Sequence, residues 1–228
     1  MVKRWLLISV VAVLITAGCA DANQSNTPGE VAQGWTCAYP SSGEPAVAVD
    51  PPSTSDVPNQ GTVNATILLN DDEVNLTLDR AGAPCTVHSF VSLVEQGYYD
   101  DTSCHRLVEQ GIFVLQCGDP TGTGSGGPGY TIPDEINEEL DYEQYMETDG
   151  VFYPPGRIVM ANVGSPNTGG SQFFLVWDDS PLLPEYTVFG TLDEESLAVI
   201  GQIAAQGVEA GAGERPIAPA EISTIILG

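Results

Sequence analysis

The sequence predicts a mainly β domain, folded as an antiparallel barrel whose open ends are plugged by two α-helices. Three observations predict this fold class. From residue 61 onward there are about eight short runs in which apolar and polar residues alternate, or in which β-branched residues dominate, as is typical of strands. Two longer stretches have helical spacing instead. No helix separates each successive pair of strands, which favours an antiparallel barrel over a parallel doubly wound sheet.

A hairpin and a helix come first. Apolar residues alternate with polar ones at residues 63–69 and 74–78, and Asn70-Asp71-Asp72 between them has the composition of a tight turn. Proline suits the first turn of a helix and glycine suits its carboxyl end, as at Pro84 and Gly97. The helix between these residues has one apolar stripe, formed by Val87, Phe90, Val91 and Val94.

The remaining elements are shorter and mainly strands. Apolar runs predict strands at residues 104–108, 112–117, 157–161, 171–177, 187–191 and 221–227. Residues 194–206 have the spacing of a second helix, which ends at Gly207. Its predicted buried face consists of Leu197, Ile200 and Ile203.

Charge and composition exclude several classes of partner. Asp and Glu number 31 against 6 Lys and Arg, which gives a net charge of −25. Nucleic acids and anionic membrane surfaces are bound through Lys and Arg, so neither is an expected partner. The cysteines have no Cys-x-x-Cys spacing, and neither His88 nor His105 completes a set of metal ligands. We therefore expect no metal and no other cofactor.

The amino end has the order of a secretory signal peptide. Lys3 and Arg4 precede an uncharged apolar run at residues 5–15. The small residues that follow, and then Cys19, resemble a bacterial lipobox, in which the cysteine is lipidated and becomes the first residue of the mature chain. A membrane span is the alternative, but the run is shorter than the roughly 20 apolar residues that cross a bilayer. We therefore expect residues 1–18 to be removed and the protein to be anchored as a lipoprotein at the outer face of the cell membrane.

Residues 19–60 are expected to form a flexible tether between the lipid and a domain at residues 61–228. The tether is rich in Pro, Ser, Thr, Asn and Gly and has little apolar periodicity. Such a segment buries too little surface to offset the entropy lost on ordering. Cys37, which Trp35 and Tyr39 flank, is the place where this segment could be pinned to the domain.

Four cysteines follow Cys19: Cys37, Cys85, Cys104 and Cys117. An even number in an exported chain predicts two disulfides. The sequence by itself leaves all three connectivities open.

Three local patterns suggest chemistry that their context does not support. The run from Gly122 to Gly127 fits the dinucleotide-binding fingerprint, but prolines bracket it and no strand–turn–helix unit surrounds it. Cys104 beside His105 resembles a thiol nucleophile with its base, but adjacent residues of a strand point to opposite faces. The acidic segment at residues 134–149 lacks any calcium-ligand spacing, so we expect a solvated loop.

Several blocks of residues, in order along the chain, resemble the signature of the cyclophilins. The blocks are His105-Arg106, then Phe113, Gln116 and Gly118-Asp119, then Met160-Ala161-Asn162, Asn167-Thr168, Gly170-Ser171-Gln172-Phe173-Phe174, and Val188-Phe189-Gly190. Cyclophilins are peptidyl-prolyl cis-trans isomerases built on an eight-stranded β-barrel capped by two helices. The resemblance covers residues 61–228 and implies a closed eight-stranded antiparallel barrel.

The resemblance also implies roles for individual residues. Arg106 matches the family's catalytic arginine, and Gln116 matches the glutamine that orients it. The walls of the proline pocket are matched by Phe113, Phe174 and Leu182, with Val114 in place of a common Met and Tyr186 in place of a His. The groove that holds the substrate backbone on the amino side of the proline is matched by Ala161, Asn162 and Gln172.

Two departures from the family pattern lie near this site. Cys104 and Cys117 stand on strands that pair in the family fold, so the resemblance implies a cross-strand disulfide between them and leaves Cys37 for Cys85. Two extra residues separate Arg106 from Phe113, which implies a longer bend between the two strands.

The implied activity is faster rotation about X-Pro bonds in exported proteins, without a cofactor. Amide resonance sets a barrier of about 18–20 kcal/mol, and rotation unaided takes tens to hundreds of seconds. A guanidinium that donates to the imide nitrogen favours the twisted state over the planar ground state. The alternative function is a non-catalytic module that binds Pro-containing peptides at the cell surface. In both cases the expected partners are proline-containing polypeptides.

Overall fold

The computed structural model describes residues 34–136, 153–211 and 213–228. The signal peptide, Cys19 and most of the acidic segment lie outside these ranges. Within them the chain forms nine strands and two helices. Their bounds are β1 Thr62–Leu69, β2 Asp72–Asp79, α1 Pro84–Glu95, β3 Thr102–Ser103, β4 Arg106–Gln110, β5 Ile112–Cys117, β6 Arg157–Met160, β7 Phe173–Val176, β8 Val188–Leu192, α2 Glu194–Ala204 and β9 Glu221–Leu227.

The nine strands belong to one antiparallel sheet with the order β3-β9-β1-β2-β8-β6-β7-β5-β4. Strands β3 and β4 are its two edges, yet only Cys104 and His105 separate them in the chain, so the sheet curls until its edges come close. The expected mainly β fold with two helices is confirmed. The closed eight-stranded barrel is not, because β3 is a ninth strand and no ladder joins β3 to β4 in the described part of the chain.

The predicted first hairpin is confirmed. Strands β1 and β2 pair in register from Thr62 opposite Asp79 to Leu69 opposite Asp72. Asn70 and Asp71 make the two-residue turn with φ of 52° and 71°, a conformation that Asn and Asp tolerate and that matches the twist of the strands. The apolar residues of both strands face the core because side chains alternate along a strand.

Both helices cover the core on their predicted apolar faces. Phe90 of α1 is fully buried, and its ring lies 5.2 to 5.5 Å from the rings of Tyr99, Phe173 and Phe189. On α2, Ile200 and Ile203 are buried, while the third predicted residue, Leu197, is only partly buried. None of the helices in the described ranges is long and apolar enough to cross a bilayer.

The amino end of α1 is capped by a residue from the acidic segment. Ala83, at the cap position, offers no side-chain acceptor. The carboxylate of Glu135 accepts hydrogen bonds of 2.7 to 2.8 Å from the backbone N–H groups of Cys85 and Thr86 and from the Thr86 hydroxyl. Burial raises the pKa of Glu135 although these three bonds oppose the shift. The expectation of a solvated loop is therefore wrong at Glu135, because an N-terminal helix end attracts a carboxylate.

The described residues before residue 61 are bonded to one another and to the domain. The N–H of Cys37 donates to Thr54 O and the N–H of Val57 donates to Trp35 O, both at 3.0 Å. Cys37 forms a disulfide with Cys85 on α1, and Val57 is 1% exposed. The composition of residues 34–60 predicts a flexible tether. In the structure a disulfide and backbone hydrogen bonds instead hold this segment against the domain.

Both disulfides have the connectivity that the resemblance implied: Cys37–Cys85 and Cys104–Cys117. We expect loss of the first to cost more stability. It closes a separation of 48 residues and the second only 13, so chain entropy assigns about 4 kcal/mol to the first and about 3 kcal/mol to the second.

Urea unfolding of the two Cys→Ala double variants measures this difference. All four cysteines are buried, so the cavities left by the two pairs are similar and loop length is the main variable. A larger loss for Cys104→Ala/Cys117→Ala would contradict the entropic argument and would point to the packing around Cys104 and Cys117 instead.

Candidate active site

The candidate site lies over the smaller of two apolar clusters. The larger cluster fills the space between the curled sheet, α1 and α2. The smaller one lies apart from it on β4, β5, β6 and β7, and its buried members are Val108, Val114, Tyr153, Val159, Phe174 and Val176. Five of the pocket and groove residues expected from the sequence belong to or pack on this second cluster: Val114, Phe174, Ala161, Leu182 and Tyr186.

A cavity of about 90 Å³ opens at the edge of this cluster. The rings of Phe174 and Tyr186 meet edge to face with centroids 5.6 Å apart. Three polar side chains stand on the rim among apolar walls, which is the composition of a small-ligand site. The lining residues are Arg106, Ile112, Val114, Gln116, Ala161, Asn162, Phe174, Leu182 and Tyr186.

Arg106 and Gln116 are cross-strand partners on β4 and β5. The antiparallel register places them opposite each other on one face of the sheet, and Arg106 Nη1 donates to Gln116 Oε1 at 3.2 Å. The Gln116 amide donates in turn to Gln172 Oε1 at 2.8 Å. Gln172 then donates to the carbonyls of Gly124 and Gly126 at 3.0 and 2.9 Å. This chain of bonds fixes the guanidinium relative to the Gly-rich loop.

Glu214 is a partner of Arg106 that the sequence analysis missed. Arg106 Nε donates to Glu214 Oε2 at 2.5 Å, and the Leu107 N–H donates to the Glu214 carbonyl at 2.6 Å. Glu214 belongs to the loop before β9, more than a hundred residues from Arg106 in sequence. No local pattern marks such a residue, because only the curl of the sheet brings this loop beside β4.

Phe113 lies outside the cavity, contrary to the expectation that it forms a wall. Alternation along β5 places Ile112, Val114 and Gln116 on the cavity face and Phe113 on the other face. The Phe113 ring instead packs edge to face on Trp177, at 5.0 Å between centroids. Ile112, two residues before Val114 on the same face, lines the cavity instead.

A larger groove of about 390 Å³ adjoins the cavity. Gln116, Ala161 and Asn162 line both spaces, while Gln172 lines only the groove. The Asn162 amide is held by the Glu185 carbonyl at 3.0 Å, and the Ala161 N–H donates to the Gln172 carbonyl at 2.9 Å. The three residues expected in a substrate groove therefore lie together along one wall.

The Gly-rich loop wraps around a carboxylate of its own chain. Asp119 is 0% exposed and accepts bonds from the backbone N–H groups of Thr121, Thr123, Gly124 and Gly126 and from both threonine hydroxyls. These donors are the kind that a phosphate would use in a nucleotide site. As the sequence context indicated, the glycines of this loop have a different role, because they enclose Asp119 and present two carbonyls to Gln172.

Asp119 is expected to make the stability of the domain depend on pH. Burial alone would raise its pKa, but the hydrogen bonds from Thr121, Gly126 and Gly124 outweigh burial and lower the pKa. A lowered folded-state pKa contributes stability above the unfolded value of about 3.9, and this contribution is lost as pH falls through the folded-state pKa. The free energy of unfolding should thus decrease below about pH 4.

Chemical denaturation of the wild type and Asp119→Asn from pH 6 to pH 2 measures this term. The two free energies of unfolding should converge as pH falls. Protonation removes the stabilisation by the Asp119 carboxylate from the wild type, and Asp119→Asn lacks this stabilisation at every pH. A difference that stays constant over this range would contradict the assignment.

The structure excludes a thiol nucleophile at Cys104, because that sulfur is bonded to Cys117. His105 is partly buried, and burial lowers its pKa against the opposing field of Asp119. Within the described ranges, no three His, Cys, Asp or Glu side chains are grouped so that they could hold a metal ion.

Fold and site together define a cyclophilin-like domain: a curled antiparallel sheet with two helices, and an Arg–Gln pair beside an aromatic cavity. Comparisons with known proteins agree. Residues 65–226 match the model of the family described as "Cyclophilin type peptidyl-prolyl cis-trans isomerase/CLD". The chain belongs to this family.

The most similar proteins found include two mycobacterial relatives named "Probable peptidyl-prolyl cis-trans isomerase B". The one from Mycobacterium leprae is 45% identical over 191 residues, which are 80% of this chain and 63% of the relative. The one from Mycobacterium tuberculosis is 43% identical over 204 residues, which are 85% of this chain and 64% of the relative. The chain thus spans slightly less than two thirds of the length of these relatives.

A solved structure supports the fold. The crystal structure of a cyclophilin-type peptidyl-prolyl cis-trans isomerase from Cryptosporidium parvum is 31% identical, has a TM-score of 0.61, and covers 74% of this chain and 98% of its own. A second structure of that protein was determined in the presence of the dipeptide Ala-Pro and has a TM-score of 0.59.

Proposed function

We propose that this chain catalyses cis–trans isomerisation of X-Pro bonds in polypeptides. The observation that carries the proposal is a guanidinium, held by Gln116 and Glu214, at the rim of a cavity walled by Phe174, Leu182 and Tyr186. Family membership supports the same reaction, as does the C. parvum relative crystallised in the presence of Ala-Pro.

The apolar cavity suits the pyrrolidine ring of the substrate. Proline is compact and apolar on its ring side, so burying it against Phe174 and Leu182 removes apolar surface from water. Val114 and Ile112 complete the walls from β5. Seating the ring fixes one side of the X-Pro bond, and the groove along Ala161 and Asn162 is left to hold the other side.

Arg106 supplies the hydrogen-bond donor. Its Nε is engaged by Glu214 and its Nη1 by Gln116. Among the described residues none accepts a bond from Nη2, which leaves those N–H groups for the substrate. A guanidinium stays protonated at any relevant pH, and a donor aimed at the imide nitrogen favours the pyramidal, deconjugated nitrogen of the twisted state. The stabilisation is therefore larger in the transition state than in the ground state.

The proposed rate increase requires only a modest stabilisation of the transition state. Lowering a half-life of tens of seconds to milliseconds requires about 5–7 kcal/mol of differential stabilisation. A single preorganised donor in a water-excluded site contributes about 2.7–4 kcal/mol. Fixing of the proline ring and of the flanking backbone supplies the remainder by orientation.

We also propose that the protein acts outside the cytoplasm as a lipoprotein anchored at Cys19. The basic–apolar–small order of residues 1–18 supports export. The four cysteines of the domain form two disulfides, a state that persists in oxidising compartments. Labelling of cells with a fatty-acid probe tests the anchor: the wild type should be labelled and Cys19→Ala should not.

A protease-coupled assay on Xaa-Pro peptides tests the activity, with refolding of a protein limited by proline isomerisation as a second substrate. We expect the purified domain to accelerate both. A folded domain that binds Pro-containing peptides but leaves both rates unchanged would instead support the non-catalytic binding module.

A further inference from the structure

The wall of the larger groove includes residues from the segment before the family-matched region. The match covers residues 65–226, whereas Ser42 and Glu44 line the groove from outside it. The Gly-rich loop and the turn after β6 also contribute residues to the lining of this groove. This part of the wall is therefore supplied by the segment at residues 34–60 and not by the curled sheet.

Backbone hydrogen bonds hold this segment in place beside the groove. The N–H of Ser42 donates to Gly129 O and the N–H of Ala46 donates to Gly127 O, both at 2.8 Å. The N–H of Thr131 donates to Pro40 O at 2.9 Å. The Cys37–Cys85 disulfide fixes the chain a few residues earlier. Glu44 thus lies between two anchored residues, and its backbone position is set by the fold.

Glu44 gives the groove its charge. Among the described residues that line the groove, Glu44 is the only one with a carboxylate, and none is a Lys, an Arg or a His. The other polar groups that line it are neutral hydroxyls, amides and backbone groups. Glu44 is exposed, so its carboxylate can turn toward a ligand in the groove. A cationic side chain is the complementary ligand.

The groove is within reach of a peptide whose proline occupies the small cavity. Gln116, Ala161 and Asn162 belong to the walls of both spaces. An extended chain advances about 3.3–3.6 Å per residue, so a side chain within about three residues of the proline can enter the groove. A lysine or arginine side chain there would place its charge near Glu44.

We propose that Glu44 is a specificity-determining residue that makes this isomerase favour X-Pro sequences with Lys or Arg within about three residues of the proline. The inference rests on the proposed isomerase activity. It names the substrate class of that same site.

Peptide series test the proposal. Four positions, two and three residues before and after the proline, each carry Lys, Ala or Glu in otherwise identical peptides. For the wild type we expect kcat/KM to be about two- to fivefold higher for Lys than for Ala in at least one position, the size expected of a partly exposed ion pair. Salt should reduce this ratio, because exposed pairs are screened.

Three variants separate the local charge from the charge of the whole protein. Glu44→Gln should abolish the Lys preference, and Glu44→Lys should reverse it in favour of Glu peptides. Glu73→Gln, at an exposed residue of β2 away from the groove, changes the net charge by the same amount and should leave the preference intact. Circular dichroism verifies that all variants are folded.

The outcomes distinguish this inference from the proposed function. Equal turnover of Lys, Ala and Glu peptides by an active wild type overturns the role of Glu44 and leaves the isomerase assignment in place. A Lys preference that Glu73→Gln abolishes as fully as Glu44→Gln also overturns it, since net charge would then be the cause. No turnover of any peptide would refute the isomerase activity itself.

Discussion

Replacement of Arg106 by alanine is expected to lower kcat/KM for X-Pro isomerisation about a hundredfold or more, the size of loss typical when one preorganised donor to a transition state is removed. Among the described residues that line the cavity, Arg106 is the only one that donates from a permanent positive charge. Gln116 and Gln172 remain, but each is a neutral amide already bonded within the chain. The loss should appear mainly in kcat, because the bond is made to the twisted state.

The Arg106→Ala domain should still fold. The Arg106 side chain is 37% exposed and that of Glu214 is 47% exposed, so their ion pair contributes at most about 1 kcal/mol. The β4–β5 pairing and the Cys104–Cys117 disulfide do not depend on the side chain of Arg106. A small decrease in the midpoint of urea unfolding is therefore expected.

Two control variants sharpen the Arg106 experiment. Arg106→Lys keeps the charge but loses the fork that holds Gln116 and Glu214 together, so it should recover only a small part of the activity. Arg215→Ala removes an exposed arginine next to Glu214 in sequence and should leave turnover unchanged. Full turnover by a folded Arg106→Ala domain would refute the proposed mechanism.

Replacement of Gly118 by alanine is expected to destabilise the domain by about 2–5 kcal/mol, the sum of a left-handed conformation and a steric clash. Gly118 has a φ of 90°, and a Cβ there would lie 2.3 Å from the Ser171 carbonyl oxygen. That oxygen is backbone next to β7 and cannot turn aside as a flexible side chain could. The Ser171 hydroxyl also donates to the Gly118 carbonyl at 2.8 Å, so the two segments cannot separate without losing that bond.

Gly111→Ala is the matched control for Gly118→Ala. Gly111 has a similar φ of 81°, but nothing lies within 4 Å of the Cβ position. Gly111→Ala should lower the free energy of unfolding only by the penalty for the left-handed backbone conformation, about 1–2 kcal/mol. Urea unfolding of both variants measures the difference, and equal losses would show that the close approach to Ser171 is not tight in solution.

Gly118→Ala should also reduce activity more than its stability loss explains. Gln172 follows Ser171 directly and receives the bond from Gln116, so a displaced Ser171 moves the residue that completes the Arg106 network. Peptide isomerisation measured well below the unfolding midpoint detects this effect. Gly111→Ala, at the turn between β4 and β5, should be fully active under the same conditions.

Much of the fold could be predicted because the sequence patterns that indicate its strands and helices are local. The β1–β2 hairpin follows from alternation and from a turn in which Asn70 and Asp71 tolerate positive φ. Helix α1 begins at Pro84 as predicted, and β9 has the predicted bounds of residues 221–227. Arg106 and Gln116 were found through ordered sequence blocks, and the register of β4 and β5 then places them face to face.

The residues that could not be predicted are those whose role depends on distant partners. Glu214 bonds to Arg106, Glu135 caps α1, and Glu44 lines the groove, and each comes from a stretch that composition describes only as a polar loop. Phe113 was placed on the cavity wall and packs on Trp177 on the other face of β5, because the alternation that turns Gln116 toward the cavity also turns Ile112 and Val114 there.

The sequence by itself determined the mainly β class and the two helices, since side-chain periodicity and helix ends depend on neighbours a few residues apart. It indicated Arg106 and Gln116 through ordered blocks that resemble a known family. Only the tertiary structure decided where the sheet ends, which face each residue of β5 presents, and which carboxylates surround Arg106 and the groove. Those features depend on the curl of nine strands and on a disulfide between Cys37 and Cys85, which bring together residues far apart in the chain.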